Sequence, residues 1–276
     1  MASDGHVHPE LFKVGPFTVY TYGVLLAASY LLGLRLAMWR AKKWGLDPNR
    51  VLDLGIYIII AALVGAKLLL LVVDFDQFSN PRELLNLARL GGVFYGGLLL
   101  AVGVAFWYIH RHRMPFWTTC DMFAPGIALG HVTGRLGCLA AGCCYGKPTD
   151  VPWAIVFTNP LAAANVGTPL GIPLHPTQIY EAGASLIILA LLLATERRGR
   201  RFAVRTFWSY MFLYAISRYV IEIYRGDPRG TVLGMFSTSQ FISVVLAPLS
   251  LIMLVWLSRR SPVEPDRARK GRRMAA

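Results

Sequence analysis

Seven stretches of the sequence, at residues 19–38, 51–73, 91–109, 116–141, 177–194, 202–224 and 235–257, are mostly apolar. Each holds about the 20 residues that a helix needs to cross the hydrocarbon core of a bilayer. Hydrocarbon cannot satisfy a bare backbone N–H or C=O, so such segments must be helices or strands of a closed barrel, and runs this long favour helices. Apolar residues make up 55% of the chain, more than the roughly 45–50% usual in soluble domains. The expected fold is all-α, a polytopic integral membrane protein with about seven transmembrane helices. The segment at 116–141 is the most polar, with Asp121, His131, Arg135 and several glycines, and also fits a shorter, half-buried helix.

Lysine and arginine divide unevenly between the two sets of connections. One set, taken with the C-terminal tail, carries nineteen, among them Arg35, Arg40, Lys42, Lys43, Arg50, Arg111, Arg113 and a run from Arg197 to Arg205. The other carries six: Lys13, Arg82, Arg89, Lys147, Arg225 and Arg229. Cytoplasmic loops concentrate positive charge, so the N-terminus is expected outside and the C-terminus inside. Topology and attraction to anionic lipid account for the net charge of +13. No basic groove interleaved with aromatic residues is visible, and no nucleic-acid partner is expected. Residues 1–16 lack a basic n-region followed by a short apolar core, so the first span is expected to remain in the protein.

No repeat or low-complexity stretch interrupts the chain. One membrane domain is expected over residues 1–258, followed by a basic, disordered tail at 259–276. Two outward segments are longer than a connector needs to be, and loops of that length are commonly functional or disordered. They are an arm at 74–90 and a head at 142–175, the latter with a strand-like or interfacial patch at 151–157. The cysteines are Cys120, Cys138, Cys143 and Cys144. Adjacent Cys143 and Cys144 read as poor chelating geometry, so packing thiols or a disulfide are expected and no metal or other cofactor.

A charged side chain inside a span costs at least a few kcal/mol and marks a functional site by default. Here these residues are Lys67, Asp121, Arg135, Glu181, Arg218 and Glu222, most of them in the outward halves of their segments. Arg218, Glu222 and Arg225 recur at i, i+4, i+7 on one helix face, with Glu222 the expected partner of Arg218. Arg225, near the end of its span, reads equally as a snorkelling interfacial residue. Glycines recur at Gly130, Gly134, Gly137, Gly142 and Gly146 around Arg135. They let either a helix backbone or a lipid headgroup come close. Arginine presents a planar fork that matches phosphate oxygens, so Arg135 and Arg218 together could clamp a phospholipid headgroup.

Several of these segments, in this order, resemble the prolipoprotein diacylglyceryl transferase family. They are Tyr22-Gly23, the Gly-Gly-Val-Phe-Tyr-Gly-Gly run at 91–97, Asp121, the Gly-Arg-Leu-Gly stretch from Gly134 through Gly137 to Gly146, His175-Pro-Thr-Gln-Ile-Tyr-Glu181, and Arg218-Tyr-Val-Ile-Glu222. The likeness covers about residues 15–257. It implies an enzyme of the bacterial inner membrane with its active site on the outer side. The implied donor is phosphatidylglycerol and the implied acceptor is the lipobox cysteine of a preprolipoprotein. The acceptor thiolate would attack the sn-3 carbon of the diacylglyceryl group, forming a thioether and expelling glycerol 1-phosphate. Arg135 and Arg218 would bind the phosphodiester and steady the leaving group's charge. Tyr22, Asp121, His175, Tyr180, Glu181, Glu222 and Arg225 would line the same site.

The sequence departs from the family at two places. Tyr95 stands where known members carry a histidine before the Gly-Gly pair. A phenol with an ordinary pKa near 10 is a weaker base, so Tyr95 either deprotonates the thiol with help from cations or orients a substrate. His131 and His175 are alternative bases. Cys138 and Cys143 stand where many members carry Asn and Glu. A family relative that binds phospholipid or modifies another acceptor is the main rival reading. A transporter is a weaker one, since it would predict inverted repeats and none is visible.

Overall fold

The computed structural model describes residues 3–5, 7–15, 17–75, 92–197, 204–228, 230–232 and 234–259. The arm expected at 74–90 lies outside them beyond Phe75, as do Gly91, the arginines at 198–201, Arg229 and the tail beyond Arg259. Among the described residues, seven long helices stand at the seven apolar segments: α1 (Thr21–Lys43), α2 (Pro48–Val73), α3 (Phe94–Arg111), α4 (Phe116–Ala141), α6 (Thr177–Arg197), α7 (Arg205–Glu222) and α8 (Thr238–Ser258). A short α5 (Pro160–Val166) lies between α4 and α6. The fourth segment is thus a full helix of 26 residues, resolving the alternative of a shorter one.

Four of the long helices, α1, α2, α6 and α8, are long and apolar enough to cross a membrane. The others fall short for visible reasons. Helix α3, with 18 residues, is long enough, but His110 and Arg111 in its last turn lower its mean hydropathy. Helix α4 carries Asp121, Arg135 and four glycines within its span, and α7 carries Arg205, Arg218 and Glu222. Large apolar side chains such as Leu63, Val72, Leu99, Ile187 and Ile252 are exposed along the helices. A soluble protein would bury such rows, whereas lipid covers them at no cost.

The chain divides into two compact units, residues 37–119 and the remainder, with one boundary inside α1 and the other inside α4. In the smaller unit α2 and α3 pack backbone to backbone. Gly65 meets Gly96, and Gly97 lies over the carbonyl of Ala62, so a Cβ at any of the three would collide. The Gly-Gly pair that follows Tyr95 is therefore a helix contact in its own right. Tyr95 itself is exposed on the first turn of α3, edge-on to Phe94.

In the larger unit α1 and α4 cross at Gly33 and Gly126, and Thr133 donates to Ser29 at 2.7 Å nearby. Ala124 and Ala128 of α4, Ile188, Leu189 and Leu192 of α6, and Tyr210 of α7 form the buried centre. Short strands cap this unit. Strands β1 (Ser3–Gly5), β4 (Ile155–Phe157) and β5 (Pro173–Leu174) make one sheet in the order β1-β4-β5. Hairpins β2 (Glu10–Val14) with β3 (Phe17–Tyr20), and β6 (Thr231–Val232) with β7 (Phe236–Ser237), lead into α1 and α8. The strand-like patch expected near 151–157 is β4, and its Phe157 packs with Val7, Tyr145, Ala162 and Leu174 in a small separate core. Among the described residues the chain is thus mostly helical, with a few short strands.

Asp121 has a clear architectural role. The N-cap of α7 is Val204, in the left-handed region and without a side-chain cap. Asp121, reaching over from α4, accepts from Val204 N and Phe207 N at 2.8 Å each. These are the two amides that a capping box would satisfy, here served by a carboxylate from another helix at the positive end of the dipole. Asp121→Ala is expected to cost about 1–2 kcal/mol, with Asp121→Asn recovering part. Thermal melting in detergent reads both, and an unchanged midpoint for the alanine variant would remove this account of the cap.

Candidate functional site

Arginines of α4, of α7 and of the turn after α7 meet at one carboxylate of α6. Glu181 sits near the N-terminus of α6, where the helix dipole favours a negative charge. Its Oε2 pairs with Arg135 Nε, two turns from the end of α4. Its Oε1 accepts from Arg218 Nη1 at 2.5 Å and from Arg225 Nη1 at 3.2 Å. Glu181, Arg218, Glu222 and Arg225 are all buried.

Each arginine has a second anchor. Arg218 Nη2 reaches Glu222 Oε2 at 2.6 Å and donates to Ser239 Oγ at 2.9 Å. Arg225 forks onto Asp227 through Nε at 2.8 Å and Nη2 at 2.9 Å. Ser237 donates to Glu222 at 2.8 Å while its oxygen accepts from Gln240 N, so the capping box of α8 also fixes the second carboxylate. Arg135 Nη1 lies 3.5 Å from Cys144 Sγ. The Arg135 side chain is 19% exposed, against 7% for Arg218 and 2% for Arg225, which makes it the most open of the three.

The structure brings together Arg135, Glu181, Arg218, Glu222 and Arg225. The expected Arg218–Glu222 pair is present, with Glu181 as an additional partner. Arg225 does not reach to water as a snorkelling residue would: a bidentate carboxylate two residues away holds it inside. Its backbone is held too, because Gly146 bridges to Arg225 and Gly226 N donates to Tyr145 O. A Cβ on Gly146 would lie 2.5 Å from His175 Cβ and O, so only glycine lets these strands cross. Gly137 supports Tyr22, whose ring packs over it, while a Cβ on Gly134 would meet Ser29 Oγ at 3.8 Å, an ordinary contact, so Gly134 has no steric need to be glycine.

Other sequence candidates sit nearby or elsewhere. His175 Nδ1 shares a hydrogen bond with the Tyr180 hydroxyl at 3.1 Å, and Trp153 Nε1 donates to the same oxygen at 2.7 Å. His131 pairs with the Tyr210 hydroxyl at 2.9 Å and stacks on Tyr214, a buried aromatic network. Asp121 is 14 positions before Arg135 on α4, about 20 Å away along the axis, and its carboxylate is occupied by the α7 cap. Asp121 is thus not among the residues that meet at Glu181.

Asp227, Ser237 and Ser239 are members that the sequence reading passed over. The Ser-x-x-Gln spacing at 237–240 is a legible capping box, and Asp227 follows Arg225 by two residues. Cys143 and Cys144 lie in the turn after α4, where Thr177 and Gln178 donate to the carbonyls of Cys144 and Cys143 at 2.7 and 2.8 Å. Hydrogen bonds from the Cys138 and Cys143 thiols, followed by the charges of Arg225 and Arg135, hold the Cys144 thiol well below the usual range.

Prolipoprotein diacylglyceryl transferase is the family whose model matches residues 9–256. The chain belongs to this family. It is 36% identical over 237 residues to the phosphatidylglycerol–prolipoprotein diacylglyceryl transferase of Clostridium tetani, covering 86% of this chain and 92% of that protein. It is 34% identical over 274 residues to that of Thermus thermophilus, covering 88% and 96%. With the transferase of Aliivibrio salmonicida it shares 32% over 278 residues, covering 96% and 93%. The chain is accordingly an enzyme, a transferase of lipoprotein biosynthesis.

The shared carboxylate makes a sharp prediction. Removing one partner from a buried ion cluster leaves uncompensated charge and costs about 3–5 kcal/mol. Glu181→Gln should therefore lower the melting temperature in detergent markedly, and Glu181→Gln with Arg225→Gln should recover part of the loss. If the single variant melts like the parent protein, Glu181 does not balance the arginines.

Proposed function

We propose that this transferase moves the diacylglyceryl group of phosphatidylglycerol onto the lipobox cysteine of preprolipoproteins, the first step of lipoprotein maturation. The relatives above carry both substrates in their names. The observation that carries the reading is the arginine cluster at Glu181, with Arg135 as its open member. The donor phosphodiester binds at Arg135, which exchanges its contact with Glu181 for the phosphate oxygens. Arg218, tied to Glu181, Glu222 and Ser239, holds the positive field behind it.

The acceptor sulfur attacks the sn-3 carbon. The C–S bond forms as the C–O bond to phosphate breaks, and glycerol 1-phosphate leaves with the bonding pair. The guanidiniums gain most as charge builds on that leaving oxygen, so they favour the transition state over the bound lipid. Tyr22, over Gly137, and the His175–Tyr180 pair border the substrate space. Tyr95 orients the thiol or takes its proton.

Helices α1, α2, α3, α4, α6, α7 and α8 cross the inner membrane, with the N-terminus outside and the C-terminus inside. The basic loops support this orientation, and it puts the Glu181 cluster and the head at 142–175 on the outer side.

The test is direct. Purified protein is incubated with labelled phosphatidylglycerol and a lipobox peptide, and a thioether-linked diacylglyceryl peptide is expected. Arg135→Ala should reduce kcat at least 100-fold, on the order of losing one oxyanion donor. Arg135→Lys should fall between, since it keeps charge and loses the fork. A Cys→Ser peptide should give no thioether product. Lipid binding through Arg135 with no product from any lipobox peptide would assign the fold to another acceptor.

Tyr95 is tested by its pH profile. With Tyr95 as base, Tyr95→Phe should lower kcat/KM, and Tyr95→His should restore it with an optimum at lower pH, because imidazole titrates near 6.5. Equal rates for all three side chains would leave Tyr95 no part in proton transfer.

A further inference from the structure

One cluster beside the arginines is not used by the reaction above. The sulfur atoms of Cys138, Cys143 and Cys144 all lie within 4.8 Å of one another. Cys138 is in the last turn of α4, and the other two follow in the turn that Gly142 begins with φ +79°. The adjacency of Cys143 and Cys144 argued against chelation, because neighbouring side chains on an ordinary backbone diverge. Cys144, however, has φ +62°, a left-handed conformation that costs a non-glycine residue roughly 1 kcal/mol. That rotation brings its sulfur back to the same side as its neighbours.

Buried side chains hold the turn in this form. Thr177 and Gln178, at 0% and 1% exposure, clamp the two cysteine carbonyls from the first turn of α6. Three convergent thiols are a poor match for a disulfide. The Cα atoms of adjacent cysteines stand about 3.8 Å apart, short of the usual disulfide range, so a bridge would have to use Cys138 and leave one thiol over. Cys120, 18 positions earlier on α4, is about 27 Å away along the axis.

We propose that Cys138, Cys143 and Cys144 form a three-thiolate site for a thiophilic d10 cation, Zn(II) or Cu(I). Zinc–sulfur bonds of about 2.3 Å put ligand sulfurs about 3.8 Å apart, so closing this set on one ion needs shifts of about 1 Å or less. Soft thiolates select these two ions over the hard divalent cations. Cu(I) is satisfied by three sulfurs, whereas Zn(II) keeps a fourth position open. Three thiolates leave either complex negative, and Arg135 Nη1 already lies 3.5 Å from Cys144 Sγ to balance it. The metal site stands independently of the transferase reading.

The full-length protein, purified in detergent with reductant and stripped with chelator, is loaded separately with Zn(II), Cu(I) and Co(II), the last as a spectroscopic probe. About one equivalent per chain should survive desalting, and Co(II) should show thiolate charge-transfer absorption. Cys138→Ser, Cys143→Ser and Cys144→Ser should each weaken retention at least tenfold, and Cys120→Ser should leave it unchanged. No retained metal, or equal retention in all four variants, overturns the site. Where a variant fails to fold, alkylation of the unsubstituted protein decides. Bound metal should protect three thiols and leave Cys120 reactive in unfolding-free conditions, and unprotected thiols count against the site.

Discussion

A single carboxylate accepting three guanidiniums is the contact on which the larger unit depends. Charges taken out of water lose solvation worth several kcal/mol per ion, and their mutual attraction repays it only when every donor and acceptor is placed. Glu181 does this for arginines from α4, from the end of α7 and from the turn beyond it. The requirement reaches outward from there. Arg225 can be inside because Gly146 lets its strand pass against His175, and Glu222 is held by Arg218 and by Ser237 at the N-cap of α8. The order of α4, α6, α7 and α8 at this end is therefore set by ion pairing as much as by apolar packing, which lipid-facing helices supply weakly.

The helices were legible because a membrane span is written in contiguous residues, and seven runs became seven helices with ends displaced by a few positions. The principal charges were legible for a similar reason, since an ionised group among apolar neighbours needs a partner. The i, i+4 rule found the Arg218–Glu222 pair. That rule speaks only within one helix. It could not see that Glu181, on α6, would serve three arginines, or that Asp227 would seat Arg225.

Asp121 and the cysteines show two different limits. An aspartate within an apolar run reads as a binding residue, yet its partners are backbone amides of α7, left bare because Val204 has no side chain able to cap them. A missing cap is visible in sequence only once the helix start is known to within one residue, the least certain part of any such reading. For the cysteines the limit is a dihedral angle. Spacing alone reads Cys143 and Cys144 as poor chelating geometry, whereas the structure, with Cys144 left-handed, places the sulfurs of Cys138, Cys143 and Cys144 within 4.8 Å of one another.

On the proposed function, the cluster would bind an anionic substrate without leaving bare charge behind. Among the described residues three guanidiniums face three carboxylates, so a phosphate arriving at this site must replace a carboxylate contact. The exchange is cheapest where the arginine is most solvated and its partner keeps other donors. Arg135 meets both conditions: it is the most exposed, and Glu181 retains Arg218 and Arg225 when Arg135 turns away. Arg218 meets neither, being buried and shared among Glu181, Glu222 and Ser239. Two arginines that the sequence offers as an equivalent clamp are thus unequal in place, one poised to exchange partners and the other fixed to keep the carboxylate from following it.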